Sequence, residues 1–230
     1  MRPVDKGVQP YCKLSDYNEA KPYLRERIGD YCSYCEFPIA HVPEVEHKES
    51  KSKGGEWLEW KNLLLSCKYC NTRKGTVIKA GEHDKWLWPD EHNTFLAFRY
   101  DNGMPSVNEE FLKLLQDGSL DKAKKVFDEL KLGNIPKVPY DDCRYMKRME
   151  VFNMAQDDLE VWNRHRNDDN EDWLNQMLRK AKLAGFFSVW MTVFKGEILV
   201  QKKLIEVFAG TDKNCFNQDG EPVLRNGDCL

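Results

Sequence analysis

Two C-x-x-C pairs, Cys32/Cys35 and Cys67/Cys70, are the most chemically informative spacing in this 230-residue chain. Thiolates at this spacing lie at the ends of a tight turn, so both sulfurs can bind one tetrahedral ion at about 2.3 Å. Two such turns supply four ligands and leave no open coordination position for water, which predicts a structural Zn²⁺ site. Because metal binding is coupled to folding, the ion substitutes for a hydrophobic core that so short a segment cannot build.

A second group of polar residues lies between and just after the cysteine pairs: Glu46, His47, Asn62 and Asn71. Oxygen atoms are the ligands that hard divalent cations prefer, so Glu46 and Asn71 are candidate ligands for Mg²⁺ or Mn²⁺. An imidazole near neutral pH can take a proton from a water molecule beside a phosphate, which is the role we predict for His47. Asn62 is predicted to accept a hydrogen bond from the other imidazole nitrogen and so to fix the tautomer.

The segment that contains these residues is basic, although the chain as a whole is slightly acidic. The formal net charge is −3, which argues against a surface coated in positive charge. Residues 47–80 nevertheless contain eight Lys or Arg against three Glu. This local excess predicts contacts with the phosphates of a nucleic acid. The candidates for these contacts are Lys51, Lys53, Arg73 and Lys74. The alternative interpretation is a solvated basic loop and helix face.

The cysteine pairs also dictate which elements hold the polar residues. If the second pair is tied back to the first, segments 44–48 and 61–66 must lie side by side. This arrangement predicts a hairpin with a Lys-rich, Gly-containing loop, followed by a helix that begins near Asn71. A helix over residues 19–28, ended by Gly29, delivers the chain to the first pair.

The rest of the chain follows a different pattern. Residues 94–107 predict two strands joined around Asn102-Gly103. Helices are then predicted from Asn108 to Gly118, from Ser119 to Gly133 and within 141–166. Further helices are expected at roughly 171–183, 186–194 and 197–208.

The order of these motifs resembles the HNH endonucleases. The shared features are C-x-x-C, Glu46-His47, a Lys-rich loop with two glycines, Asn62-Leu63 and C-x-x-C-N-x-x-K-G. The resemblance implies an α+β fold in which a ββα-metal finger with a structural four-cysteine zinc site is followed by a mainly helical C-terminal region. We expect residues 1–93 to form the nuclease finger with its N-terminal helix. Residues 94–230 would form the short hairpin and a helical region that docks a partner or completes the substrate groove.

The resemblance also assigns roles to the polar residues. It implies that His47 is the general base, that Glu46 and Asn71 hold the catalytic metal, and that Asn62 orients the base. The cysteines match the zinc-knuckle subset of the family. Two positions depart from the commonest pattern, since Glu46 stands where Asp is more frequent and Asn71 where His occurs. Glu46 retains the carboxylate, and Asn71 is a variant that is also common in the family.

A wider similarity concerns the layout of the whole chain. The M-R-P start, the early finger, the helical second half and the closing GTDKNCFNQDGEPVLR are similar to the HNH subunits of Septu-type anti-phage defence, which also accompany some retrons. This similarity implies a DNA-cutting effector with an ABC-type ATPase partner. Two alternatives stay open: an effector that cuts tRNA or other RNA, and a non-catalytic zinc module that binds nucleic acid or protein.

Sequence features also bear on location and on the remaining histidines. The first residues lack an apolar signal region, and the most apolar run, residues 184–194, is too short to span a bilayer. We therefore expect a cytoplasmic protein without membrane contact, in which paired thiols are metal ligands more often than disulfides. The other histidines are expected to be structural, and His83 is a candidate auxiliary phosphate or metal contact. They are His41, His83, His92 and His165.

Overall fold

The computed structural model of the protein describes residues 1–138, 141–165, 171–225 and 230. The first helical element is a 3₁₀ turn, Tyr17–Ala20, that runs into helix α1, Lys21–Ile28. Asp16 caps the turn by accepting a hydrogen bond from the backbone N–H of Asn18. Gly29 ends α1 with a φ of 74°, a left-handed value that glycine adopts without strain. The helix predicted over residues 19–28 is thus present, with its first turn in 3₁₀ geometry.

The next elements form a ββα unit. Strand β1, Glu44–His47, pairs antiparallel with β2, Leu63–Ser66, in a register that sets Glu46 opposite Leu64 and His47 opposite Leu63. Every residue of β2 is buried, because the strand runs through the core. Helix α2, Lys68–Lys74, follows directly and contacts β1. The predicted hairpin and helix are therefore both formed.

A second small sheet and a set of helices make up the rest of the described chain. A short helix α3, Thr94–Ala97, precedes the antiparallel strands β3, Phe98–Asp101, and β4, Met104–Val107. The first predicted strand is shortened because the Asn93 side chain accepts a hydrogen bond from the Phe95 N–H and starts α3 instead. The helices that follow are α4 Glu109–Leu115, α5 Ser119–Glu129, α6 Cys143–His165, α7 Glu171–Ala184, α8 Phe187–Val193 and α9 Ile198–Val207.

The helix boundaries differ in detail from the prediction. Helix α4 ends one turn before Gly118, since Gln116 adopts a left-handed φ of 51°. Asn108 donates its side-chain amide to the Leu96 carbonyl and does not cap α4. The last residue of the helix predicted within 141–166 lies outside the described residues. These are shifts of a few residues at helix ends, where competing local hydrogen bonds decide the boundary.

One hydrophobic cluster joins the finger to the helical part. It includes Leu63 and Leu65 of β2 together with Phe187 and Trp190 of α8. Helix α6 packs against α8, and α7 packs against α9. The predicted fold class is confirmed, with two small sheets, a cysteine cluster at the ββα unit and a helical C-terminal part. The division of the chain into a finger of residues 1–93 and a second region of residues 94–230 stays a prediction.

No helix in the described ranges combines the length and apolar character needed to cross a membrane.

Candidate active site

Four buried cysteines meet at one point beside the ββα unit. The Sγ atoms of Cys32, Cys35, Cys67 and Cys70 all lie within 4.8 Å of one another. The Cys35 and Cys67 sulfurs are 3.7 Å apart, whereas a disulfide bond measures about 2.05 Å. Four sulfurs each about 2.3 Å from a central ion are separated by a similar distance, about 3.8 Å. The geometry and the thiol chemistry therefore fit a tetrahedral structural Zn²⁺.

Local backbone contacts place the sulfurs. Cys67 is the N-cap of α2, and its Sγ accepts a hydrogen bond from the Cys70 N–H at 3.3 Å. The first pair forms a turn in which the Glu36 N–H donates to the Cys32 carbonyl, with Glu36 at a φ of 64°. The Ser33 N–H donates to the Leu65 carbonyl and ties this turn to β2. Both cysteine turns are thus anchored to the hairpin.

An arginine from the helical part contacts the cysteine cluster. Arg144, in the first turn of α6, donates from Nη1 to the Cys70 Sγ at 3.4 Å. Its guanidinium also pairs with Asp142 and lies 4.0 Å from the centre of the Tyr69 ring. Four thiolates around one Zn²⁺ would carry a net charge of about −2. The buried Arg144 guanidinium would offset part of this negative charge in the low-dielectric interior. No spacing rule predicts this contact, because the two residues are 74 positions apart.

His47 is half-buried at the end of β1. Its Nε2 lies 3.1 Å from the Trp57 carbonyl oxygen. A carbonyl only accepts hydrogen bonds, so Nε2 carries the hydrogen in the neutral ring and Nδ1 is left as the proton acceptor. Burial lowers the pKa of His47 below its usual value, and this effect exceeds the opposing influence of the Trp57 carbonyl and Glu46. The imidazole is therefore neutral near pH 7, which is the form that a general base requires.

Asn62 has a different partner from the predicted one. Its Oδ1 accepts from the Glu49 N–H at 2.7 Å, and its Nδ2 donates to the carbonyls of Glu49 and Glu56 at 3.1 and 2.8 Å. These three bonds connect both sides of the loop that separates β1 from β2, where the backbone groups have no strand partner. Glu56 directly precedes Trp57, so these bonds fix the loop next to the residue whose carbonyl contacts His47.

Glu46 is buried, and both of its carboxylate oxygens have partners. The Tyr34 hydroxyl donates to Oε2 at 2.6 Å, and the Lys74 Nζ lies 2.5 Å from Oε1. The same Nζ donates to the His47 carbonyl at 2.6 Å. Lys74 is 0% exposed. This position differs from the surface phosphate contact predicted for Lys74, because the helix face that carries it is turned towards β1.

Glu46, His47 and Asn71 come together along one open cleft of about 360 Å³. Asn71 donates from Nδ2 to the Glu44 carboxylate at 2.7 Å. A carboxylate and an amide at one cleft are oxygen donors of the kind that fits Mg²⁺ or Mn²⁺. Other residues complete the walls of the cleft: Ser50, Lys51, Ser52 and Gly75.

The remaining predicted basic contacts are exposed; Lys51 lines this cleft, whereas Arg73 lines a separate depression on α2. The Lys51 amine lies 4.9 Å from the centre of the Tyr17 ring and 4.8 Å from the centre of the Trp57 ring. Such cation–π contacts hold an ammonium group in place while leaving it able to bind an anion. Lys53 is exposed in the same loop, and Arg73 is exposed on α2. The sequence did not single out Tyr17, which reaches the His47 ring from outside the motif with 4.7 Å between ring centres.

A charge network around Lys48, the residue after His47, is buried at Lys6, Lys48 and Asp90 and partly exposed at Glu91 and His83. Lys48 bridges Asp90 and Glu91, and Lys6 also pairs with Asp90, at 2.7 Å. His83 contacts Glu91 through Nε2 at 2.7 Å. His83 therefore belongs to this network and is not one of the residues that line the cleft.

The hairpin and α2 define a ββα unit, and the cysteine cluster beside it could hold a structural zinc ion. Residues 32–76 match the family model described as HNH endonuclease. The match spans both cysteine turns, both strands, α2 and all four predicted catalytic residues, so the resemblance to the HNH family is supported for this segment. No curated protein and no solved structure matches the chain. The match indicates a nuclease domain that acts on nucleic acid.

Proposed function

We propose that this protein is a metal-dependent HNH endonuclease that hydrolyses phosphodiester bonds in nucleic acid. The observation that carries the proposal is the cleft in which His47 lies beside Glu46 and Asn71, with its Nε2 held by the Trp57 carbonyl. This arrangement presents the unprotonated Nδ1 of a neutral imidazole as the acceptor.

In the proposed reaction His47 takes a proton from the attacking water through Nδ1. The Trp57 carbonyl stabilises the imidazolium that forms, because it accepts the hydrogen bond from Nε2. General-base assistance of this kind contributes about 10²–10⁴-fold to the rate. Glu46 and Asn71 would hold a divalent ion, which when bound would supply charge stabilisation for the phosphate in the transition state. Lys51 would bind a phosphate oxygen at the edge of the same cleft.

The biological setting that we propose is a cytoplasmic anti-phage effector that cuts DNA together with an ABC-type ATPase. Support comes from the layout of the chain, which is similar to the HNH subunits of Septu-type systems. A second argument is physical: one short finger makes few base contacts, so a partner must supply targeting. The helical region from α6 to α9 offers the surface for such a partner.

Cleavage by the zinc-loaded protein tests this function. Plasmid DNA and total tRNA are incubated together with the protein and whatever co-purifies with it, in Mg²⁺, Mn²⁺ or EDTA. We compare the wild type with His47→Ala and with His41→Ala, which removes an exposed histidine that does not line the cleft.

We expect DNA cleavage that needs the divalent ion and His47 but not His41. Degradation of tRNA alone would assign RNA as the substrate. Cleavage that survives in His47→Ala would place the chemistry elsewhere. If neither nucleic acid is cut and both are bound equally by wild type and His47→Ala, the domain is a binding module.

A further inference from the structure

Lys74 links Glu46 and His47, two of the residues that line the cleft. Its Nζ contacts the Glu46 carboxylate at 2.5 Å and the His47 carbonyl at 2.6 Å, and the whole side chain is buried. The Nζ also lies 5.7 Å from the centre of the Trp88 ring. A buried ammonium group with such partners costs much more to displace than a lysine on the surface.

The pairing restricts what Glu46 can do in the free protein. Tyr34 donates to one carboxylate oxygen and Lys74 pairs with the other. A divalent cation bound by Glu46 would lie close to the Lys74 ammonium, and two positive charges at such a site repel each other strongly. The cation and Lys74 therefore compete for one carboxylate.

We propose that Lys74 is a positioning residue that holds Glu46 until nucleic acid binds, so that substrate and divalent cation bind cooperatively. A phosphate in the cleft would attract the Lys74 amine, whose four-carbon stem allows it to shift while α2 stays in place. Release of Glu46 then raises the affinity for the cation. This inference rests on the proposed function in one respect, because it takes the cleft as the nucleic-acid site.

Cooperativity of this kind is reciprocal and measurable. If nucleic acid raises the affinity for the cation by some factor, the cation raises the affinity for nucleic acid by the same factor, and such factors commonly reach about 5–150. The coupling requires that nucleic acid and the cation each bind more tightly when Lys74 is released from Glu46 than when it is paired with Glu46. Removing the Lys74 charge should therefore abolish the coupling and leave the tight-binding state.

Mn²⁺ titrations of zinc-loaded protein, read by calorimetry, test the inference. All proteins carry His47→Ala so that a short DNA duplex stays intact. With Lys74 present, we expect DNA to tighten Mn²⁺ binding by about tenfold or more. In Lys74→Met we expect tight Mn²⁺ binding without DNA and little further gain with it. Lys202→Met is the matched control, because Lys202 is an exposed lysine of α9 outside the finger and its loss should leave Mn²⁺ affinity unchanged both without and with DNA.

Two results would overturn the inference. The first is DNA-free Mn²⁺ binding by Lys74→Met that is no tighter than with Lys74 present. The second applies if Lys74→Met does not fold. Lys74→Arg retains the positive charge, so tight Mn²⁺ binding by that variant without DNA would contradict competition between the side chain and the cation for Glu46. The DNA-free comparison does not depend on cleavage, so failure of the proposed nuclease activity can be told apart from failure of this inference.

Discussion

Replacement of Asn62 by Ala tests how the loop beside the cleft is held. The Asn62 side chain is nearly buried and makes three hydrogen bonds, to the Glu49 N–H and to the carbonyls of Glu49 and Glu56. Alanine removes all three and leaves these backbone groups without their partner. The same change loosens the segment that brings the Trp57 carbonyl to His47.

The structure sets the size of the effect. A typical intramolecular hydrogen bond contributes about 0.5–1.5 kcal/mol to the free energy of unfolding, so loss of three costs about 2–4 kcal/mol. In a chain of this length 1 kcal/mol corresponds to about 2–4 °C in Tm, which predicts a decrease of about 5–15 °C. Asn62→Asp should be at least as destabilising at neutral pH, because a carboxylate oxygen would then face the Glu49 and Glu56 carbonyls.

Thermal unfolding of zinc-loaded protein followed by circular dichroism measures this change. Asn108→Ala is the matched control, since its side-chain amide donates to one carbonyl, that of Leu96, and should cost about a third as much. Cleavage rates of the same proteins are measured well below their Tm values. Unchanged stability with lost cleavage would refute the loop role and favour a direct contact between Asn62 and the imidazole.

Three further predictions concern the base, the zinc and the basic surface. With zinc bound and no other divalent ion, the NMR titration of His47 should have its midpoint below 6.5, because burial lowers the pKa of its imidazole. Protonation of His47 as the pH falls should then reduce the free energy of unfolding, since the unfolded chain binds that proton more readily. A midpoint above 6.5 would contradict this prediction. Arg144→Met should lose Zn²⁺ to a chelator about tenfold faster, whereas loss of the exposed Arg25–Asp30 pair in Arg25→Met should not matter. Arg73→Gln should reduce the slope of log affinity against log salt by about 1, with the exposed Lys203→Gln as the unchanged control.

The metal-binding fold could be predicted because its signals are local. The C-x-x-C spacing specifies two turns around one ion, and closing them together forces the intervening segments into a hairpin. The cysteine cluster, the strands and α2 follow from that single constraint. The family match adds the identity of the domain but no contact that the spacing had not already implied.

The partners of individual side chains were harder to predict. A lysine in a basic segment suggests a solvated charge, yet Lys74 lies three residues after Asn71 and so shares its helix face. That spacing was a usable signal for a buried position towards β1. Asn62 offered no such signal, because its partners depend on the path of a loop whose backbone groups lack strand pairing. Arg144 belongs to a different part of the chain, and only tertiary packing brings it to Cys70.

The helical part contacts both cysteine turns of the finger. Arg144 of α6 donates to the Cys70 sulfur, and the Ser188 N–H of α8 donates to the Glu36 carboxylate at 2.7 Å. Glu36 directly follows the first cysteine pair, and Cys70 lies one residue before Asn71. Because α8 is buried, a partner would reach it only through α6, and docking on α6 that shifted either helix would move charges beside the cysteine turns and the start of α2. Because α2 carries both Asn71 and Lys74, the same shift would reach the cleft without any direct contact between the partner and the nucleic acid.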